Sequence, residues 1–185
     1  MTAVKLTGSN LYVAIMGARG VRVNDVEDTL QYLRRLFEGQ VFQLFDASMV
    51  AGWRHIFHAA VNAVGAVEND YAVSKSLDVE ALLYASCRDQ ISRAFKLMGV
   101  SRATNAVAVL VLGEDVEATE AAARRIAEAL GEPDDSVLRV DEAKYLRLRE
   151  AFEVSSRALQ AVGGDPYEAL TGIIVEKGAL LSLRR

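Results

Sequence analysis

The sequence predicts an α+β fold, a small central sheet, mostly antiparallel or mixed, packed with several α-helices. Three observations predict it. Strand-like apolar runs are few: LYVAIM at 11–16, VFQLF at 41–45 and AVAVLVL at 106–112. Most of the remaining chain repeats its apolar residues at three- and four-residue steps, the helical period. The order strand, helix, strand, helix, helix, strand and then mostly helices offers too few strands for a doubly wound sheet. At 185 residues the chain fits one domain, 1–185.

In chain order, Leu11 to Met16 opens the sheet. Gly17 and Gly20 bracket Arg19 in GARG, expected as a turn that can approach another backbone closely. It is not a phosphate loop, because the GxxxxGK spacing is absent. Asn24 or Asp25 is the expected cap of a helix over Val26 to Glu38, with Leu30, Leu33, Leu36 and Phe37 inward. Val41 to Phe45 is the second strand. Asp46 or Ser48 should cap a helix reaching about Val64. Trp53, Ile56, Phe57, Ala60, Val61 and Val64 form its stripe, with Arg54, His55, His58 and Asn62 largely off it.

After a polar connection, Val79, Leu82, Leu83, Ser86, Cys87, Ile91, Ala94, Phe95 and Met98 predict one helix of roughly six turns ending at Gly99. Ala106 to Leu112 reads as a strand buried on both faces. Val116 to Leu130, rich in Ala and Glu, is a strong helix former. Ser136 to Val140 is a candidate edge strand. Asp141 should cap a helix through about Val162, and Asp165-Pro166 should start a last helix to about Leu183.

No apolar run approaches the ~20 residues of a membrane span, so no membrane partner is expected. A single cysteine excludes an internal disulfide and suits a reducing compartment, which we expect to be the cytoplasm. The net charge of −4 argues against a general nucleic-acid coat. Its distribution is uneven. Residues 1–112 carry 11 basic and 10 acidic side chains; residues 113–185 carry 10 and 15. A polyanion should therefore meet the first part.

Several residue groups invite a chemical reading. His55 and His58, spaced i, i+3, lack a third metal ligand in the sequence, so one surface and one core-edge histidine is preferred to zinc. Cys87 lies on an apolar stripe and reads as structural rather than nucleophilic. The acids Glu114-Asp115 and Asp134-Asp135 fall at loops and helix starts, where acids cap. Arg88, Arg93 and Lys96 share about 140° of the long helix opposite its stripe. They form either a solvated face or a phosphate-tracking surface, which Arg54, His55, His58 and Lys75 would enlarge. The apolar end GIIVEKGALLSL, with Ile174, Gly178 and Leu181 at i, i+4, i+7, is either core or a partner interface.

Four stretches taken together resemble one family. They are FDASMVAGWRHIFHAAVNA, DVEALLYASCRDQISRAFKLMGV, PDDSVLRVDEAK and IIVEKGALLSL. The chain resembles the Cgi-type regulatory subunits of the KEOPS complex along nearly its whole length. It departs from them at Cys87, where the family often has Gly, and near Asp89, where it often has a second basic residue. The loop after Val64 and the segment Ser155 to Gly164 also look longer.

The resemblance implies a non-enzymatic subunit without a cofactor. Its partners would be the small kinase-like ATPase subunit directly, the transferase subunit indirectly, and the single-stranded 3′ tail of tRNA. The complex installs threonylcarbamoyl on the adenosine beside the anticodon. On this expectation Arg54, His55, His58, Lys75, Arg88, Arg93 and Lys96 are the tRNA-binding residues. Ile174, Gly178 and Leu181 are the kinase-subunit interface.

Overall fold

The computed structural model describes residues 3–184. In chain order they form β1 (Val4–Lys5), β2 (Tyr12–Arg19), α1 (Val26–Leu36), β3 (Val41–Asp46), α2 (Trp53–Glu68), α3 (Leu77–Ser86), α4 (Ile91–Met98), β4 (Ala106–Gly113), α5 (Val116–Leu130), β5 (Glu132–Pro133), α6 (Glu142–Ala151), α7 (Ser156–Val162) and α8 (Pro166–Ala179). Short 3-10 turns at Ala47–Met49, Asp135–Leu138 and Leu180–Arg184 complete them. The fold is α+β, as the sequence predicts, and the sheet is antiparallel throughout. The chain gathers into two compact units, each made of two separate stretches. One holds the residues up to Ser48 and Gly99–Leu138; the other holds Met49–Met98 and the residues from Arg139 onward.

The first unit is the sheet with α1 and α5. Its order is β1-β2-β4-β3, with β5 also paired to β2. β2 and β4 run in register from Tyr12↔Gly113 to Arg19↔Ala106. Val107 to Val111 are fully buried, so β4 is the two-faced buried strand its apolar run predicts. Ala14, Met16, Leu44, Val109 and Val111 meet Leu33 of α1 and Ile126 of α5 in one apolar layer.

β2 runs past Met16 through Arg19, so the expected GARG turn is instead strand up to Gly20. The close approach expected at Gly17 is present. A Cβ there would collide with the Asp134 carbonyl oxygen and the Val137 side chain. Gly17 N–H donates to Asp135 Oδ1 at 2.9 Å, and Asp134 N–H donates to the Gly17 carbonyl at 2.9 Å. The strand expected at 136–140 is instead a 3-10 turn, Asp135–Leu138, and the edge strand of this loop is β5, just before it. Arg19 holds it with two contacts to Glu132, at 2.7 and 3.1 Å. Asp25 caps α1 by accepting from Glu27 and Asp28, but Leu36, expected inward, is exposed.

The second unit is helical. α2 starts at Trp53, after Gly52 at φ 84, and continues to Glu68, past the expected end. Its buried line is Ile56, Ala59, Ala60, Ala63 and Val64, while Trp53 and Phe57 are half-buried and Val61 is exposed. Residues 80–86 of α3 are buried all round, the mark of a core helix.

Two expected long helices are broken. The one over 77–98 stops at Ser86 and restarts at Ile91; the one over 141–162 stops at Ala151 and restarts at Ser156. The cause is the same at both. Cys87 (φ 54) and Glu153 (φ 53) take the left-handed conformation. Arg88 N–H bonds back to the Leu83 carbonyl and Cys87 N–H to that of Tyr84; Val154 and Glu153 repeat this on Arg149 and Glu150. These are Schellman closures without the usual glycine. Asp70 (φ 59) closes α2 in the same way.

Candidate functional site

α2 carries the residues from which a site can be built, and they lie in the helical unit. Gly52 precedes the helix without a side-chain cap. Trp53 stacks on Phe57, one turn on, with ring centroids 4.7 Å apart and planes 14° from parallel. Gly52, Trp53 and Arg54 face Arg139, Tyr167 and Glu168 across a cleft of about 310 Å³. Arg54 reaches Glu168 at 3.2 Å with both side chains largely in solvent. Tyr167 is braced edge-on by Tyr145, centroids 5.3 Å apart.

His55 points the other way and is 2% exposed. Ala51 N–H donates to its Nδ1 at 3.0 Å, so the ring proton sits on Nε2, which donates to the Ala85 carbonyl at 2.8 Å. Burial pushes its pKa down to about 4; the Ala85 carbonyl opposes this and the Lys144 charge adds to it. His55 is a neutral core strut joining the start of α2 to the end of α3. It has no surface to offer RNA, and the expected core-edge or surface position is corrected to full burial. His58 is half-buried beside Phe57, and burial and then Arg54 hold its pKa below the ordinary value.

The other cations separate into two groups. Arg88 lies in the link between α3 and α4, not on a helix face. It donates to the Ala151 carbonyl at 3.3 Å and meets Glu153 at 3.6 Å, so together with Arg54 it is ion-paired. Lys75, Arg93 and Lys96 are exposed and make no ion pair among the described residues. The break at Cys87 therefore removes Arg88 from the shared helix face expected of Arg88, Arg93 and Lys96.

Ile174, Gly178 and Leu181 are core residues, with Ile174 at 0% and Leu181 at 2% exposure. Gly178 is buried against the end of α3. They are not a surface, and the core reading of the apolar C-terminal stretch is the correct one for them. What that stretch leaves exposed is Leu180 and Leu183, with Val162 of α7.

Sequence reasoning missed Arg139 and Tyr167, and took Trp53 for core alone. Tyr167 follows Pro166, and Arg139 precedes the Asp141 cap. The nearest signal was Gly52-Trp53-Arg54, a helix start without a capping side chain.

The two units define an α+β protein whose described residues gather no group of three metal-binding side chains and no helix able to cross a membrane. The chain belongs to the family described as kinase binding protein CGI-121, whose model matches residues 23–174. It is 30% identical over 172 residues to the regulatory protein Cgi121 of Methanocaldococcus jannaschii, covering 92% of this chain and 98% of that one.

Proposed function

We propose that this chain is a non-catalytic subunit of the KEOPS complex, working in the cytoplasm as a single domain. It binds the kinase-like ATPase subunit, reaches the transferase subunit only indirectly, and recruits tRNA by the single-stranded 3′ tail. It requires no cofactor. The observation that carries the reading is membership of a kinase-binding family over residues 23–174. The similarity to a protein named as regulatory supports a non-catalytic role.

Lys75, Arg93 and Lys96, free of ion pairs among the described residues, supply cations for phosphates. Val162, Leu180 and Leu183 supply exposed apolar contact for a protein partner. Two experiments test this. The full chain should bind intact tRNA more tightly than tRNA lacking its 3′ tail; equal affinities would overturn the RNA half. Leu180→Asp with Leu183→Asp should abolish co-purification with the kinase-like subunit while the chain stays folded.

A second reading is a pure protein-interaction scaffold that regulates the kinase-like subunit without touching RNA. It is favoured by the pairing of Arg54 with Glu168 and Arg88 with Glu153, which weakens the positive field. The same tRNA comparison separates the two.

A further inference from the structure

We propose that a cavity in the sheet unit binds a free α-amino acid, with its carboxylate on Arg22, its ammonium on Asp28 and its side chain against Tyr32. This goes beyond the kinase and tRNA readings above and rests on neither. The cavity holds about 380 Å³ between the segment leading into α1, the first half of α1 and the end of α5. Ligand pockets begin at roughly 300 Å³, so there is room here for one small molecule. All the residues that line it belong to the sheet unit.

The chain fixes what faces this space. From Val21 to Asn24 burial alternates: the two valines are buried, and Arg22 and Asn24 are exposed and line the cavity. Val21 N–H donates to the Asn105 carbonyl at 2.9 Å and pins the segment. On α1, Asp28 and Tyr32 stand one turn apart and share a face. Leu130 adds apolar lining from α5.

The charges decide the ligand. Asp25 is already engaged: Oδ1 accepts from the Glu27 and Asp28 backbone N–H groups, and Oδ2 accepts from Arg102 at 3.3 Å. Arg22 and Asp28 differ. Both line the cavity, and neither makes an ion pair with the other or with any other described residue. Two opposite charges thus face one small space without cancelling. A simple cation would be repelled by Arg22, and a simple anion by Asp28. A ligand with both charges a few atoms apart satisfies both. The guanidinium offers a carboxylate two parallel N–H donors, and Asp28 accepts from an ammonium. Tyr32, 55% exposed, leaves an aromatic surface for the ligand's side chain.

The test is calorimetric titration of the full chain with L-leucine, for which we expect a dissociation constant on the order of 1 mM. Isoamylamine, which lacks the carboxylate, and isocaproate, which lacks the ammonium, should each bind roughly tenfold more weakly. Leucyl-leucine, whose two charges stand farther apart, should also bind more weakly than L-leucine. Arg22→Gln and Asp28→Asn should each weaken L-leucine by roughly tenfold. Both positions are exposed, so unchanged thermal midpoints will show that the variants fold. Tyr32→Ala should remove the advantage of L-leucine over glycine. The site is overturned by no heat from L-leucine at about ten times the expected constant. It is overturned equally if a single-charge analogue or the dipeptide binds as well as L-leucine, or if binding survives Arg22→Gln and Asp28→Asn unchanged. The kinase and tRNA readings stand or fall separately, on the co-purification and tail comparisons.

Discussion

A Cβ on residue 178 would stand 2.8 Å from the main-chain oxygen of Tyr84 and 3.9 Å from Cys87 Sγ. The C-terminal ends of α3 and α8 therefore touch through backbone, at a position where glycine is the residue that fits. Gly178→Ala should gain about 1 kcal/mol of helix propensity and lose more to this contact. We expect a net loss of about 1–2 kcal/mol, which is a fall of several degrees in thermal midpoint. A rise in midpoint would mean that the two helices are not so close.

The His55 strut makes the protein acid-labile. Its folded pKa of about 4 lies below the ordinary 6.5, so between those values the unfolded chain takes up a proton that the folded one refuses. The stability it contributes is full above about pH 6.5, falls as pH drops toward 4, and is constant below. The loss is on the order of 3 kcal/mol. His58, also lowered, acts in the same sense. Urea midpoints at pH 7.5, 6, 5 and 4 should decline over this range. His55→Gln should start lower and show a shallower decline.

Three helices close on left-handed residues that are not glycine, Asp70, Cys87 and Glu153. Replacing each with glycine should stabilise by up to about 1 kcal/mol, less at Asp70, because Asp tolerates this conformation better. Cys87→Val should destabilise, since a β-branched residue is the worst choice at positive φ. Equilibrium unfolding of the four variants measures the ranking.

These closures also explain what was legible in the sequence. The strands were legible because their apolar runs are short and bounded, and AVAVLVL in particular has no other way to be satisfied. The caps at Asp25 and Asp165 were legible because a carboxylate near free N–H groups is a local matter. The helix breaks at Cys87 and Glu153 were not, because the stop signal is ordinarily a glycine and the apolar spacing runs on across both gaps. The consequence reached the site. One imagined helix placed Arg88 on the same face as Arg93 and Lys96, where the break gives it to Glu153. His55 was misread for a different reason: its two hydrogen bonds come from the backbone at Ala51 and Ala85, which no side-chain pattern announces. Arg139 and Glu168 were invisible as a pair, because nearly thirty residues separate them along the chain.

Charge reversal should separate binding from stability. Lys75→Glu, Arg93→Glu and Lys96→Glu alter exposed side chains that make no ion pair among the described residues. Each should move the folding free energy by no more than about 0.5 kcal/mol. Where the residue touches a tRNA phosphate, the salt dependence of binding should flatten by about 0.7–0.9 per site. Titration at several salt concentrations reads this directly.

Ile15 pairs with Leu110, and everything from Met49 to Met98 belongs to the other body. During synthesis the sheet thus waits, with its central place vacant, while half of the helical body emerges first. The helical body must then wait in turn for its second half. No single proteolytic nick or stop codon releases either body whole. A fragment screen should recover the intact chain or nothing that holds its shape.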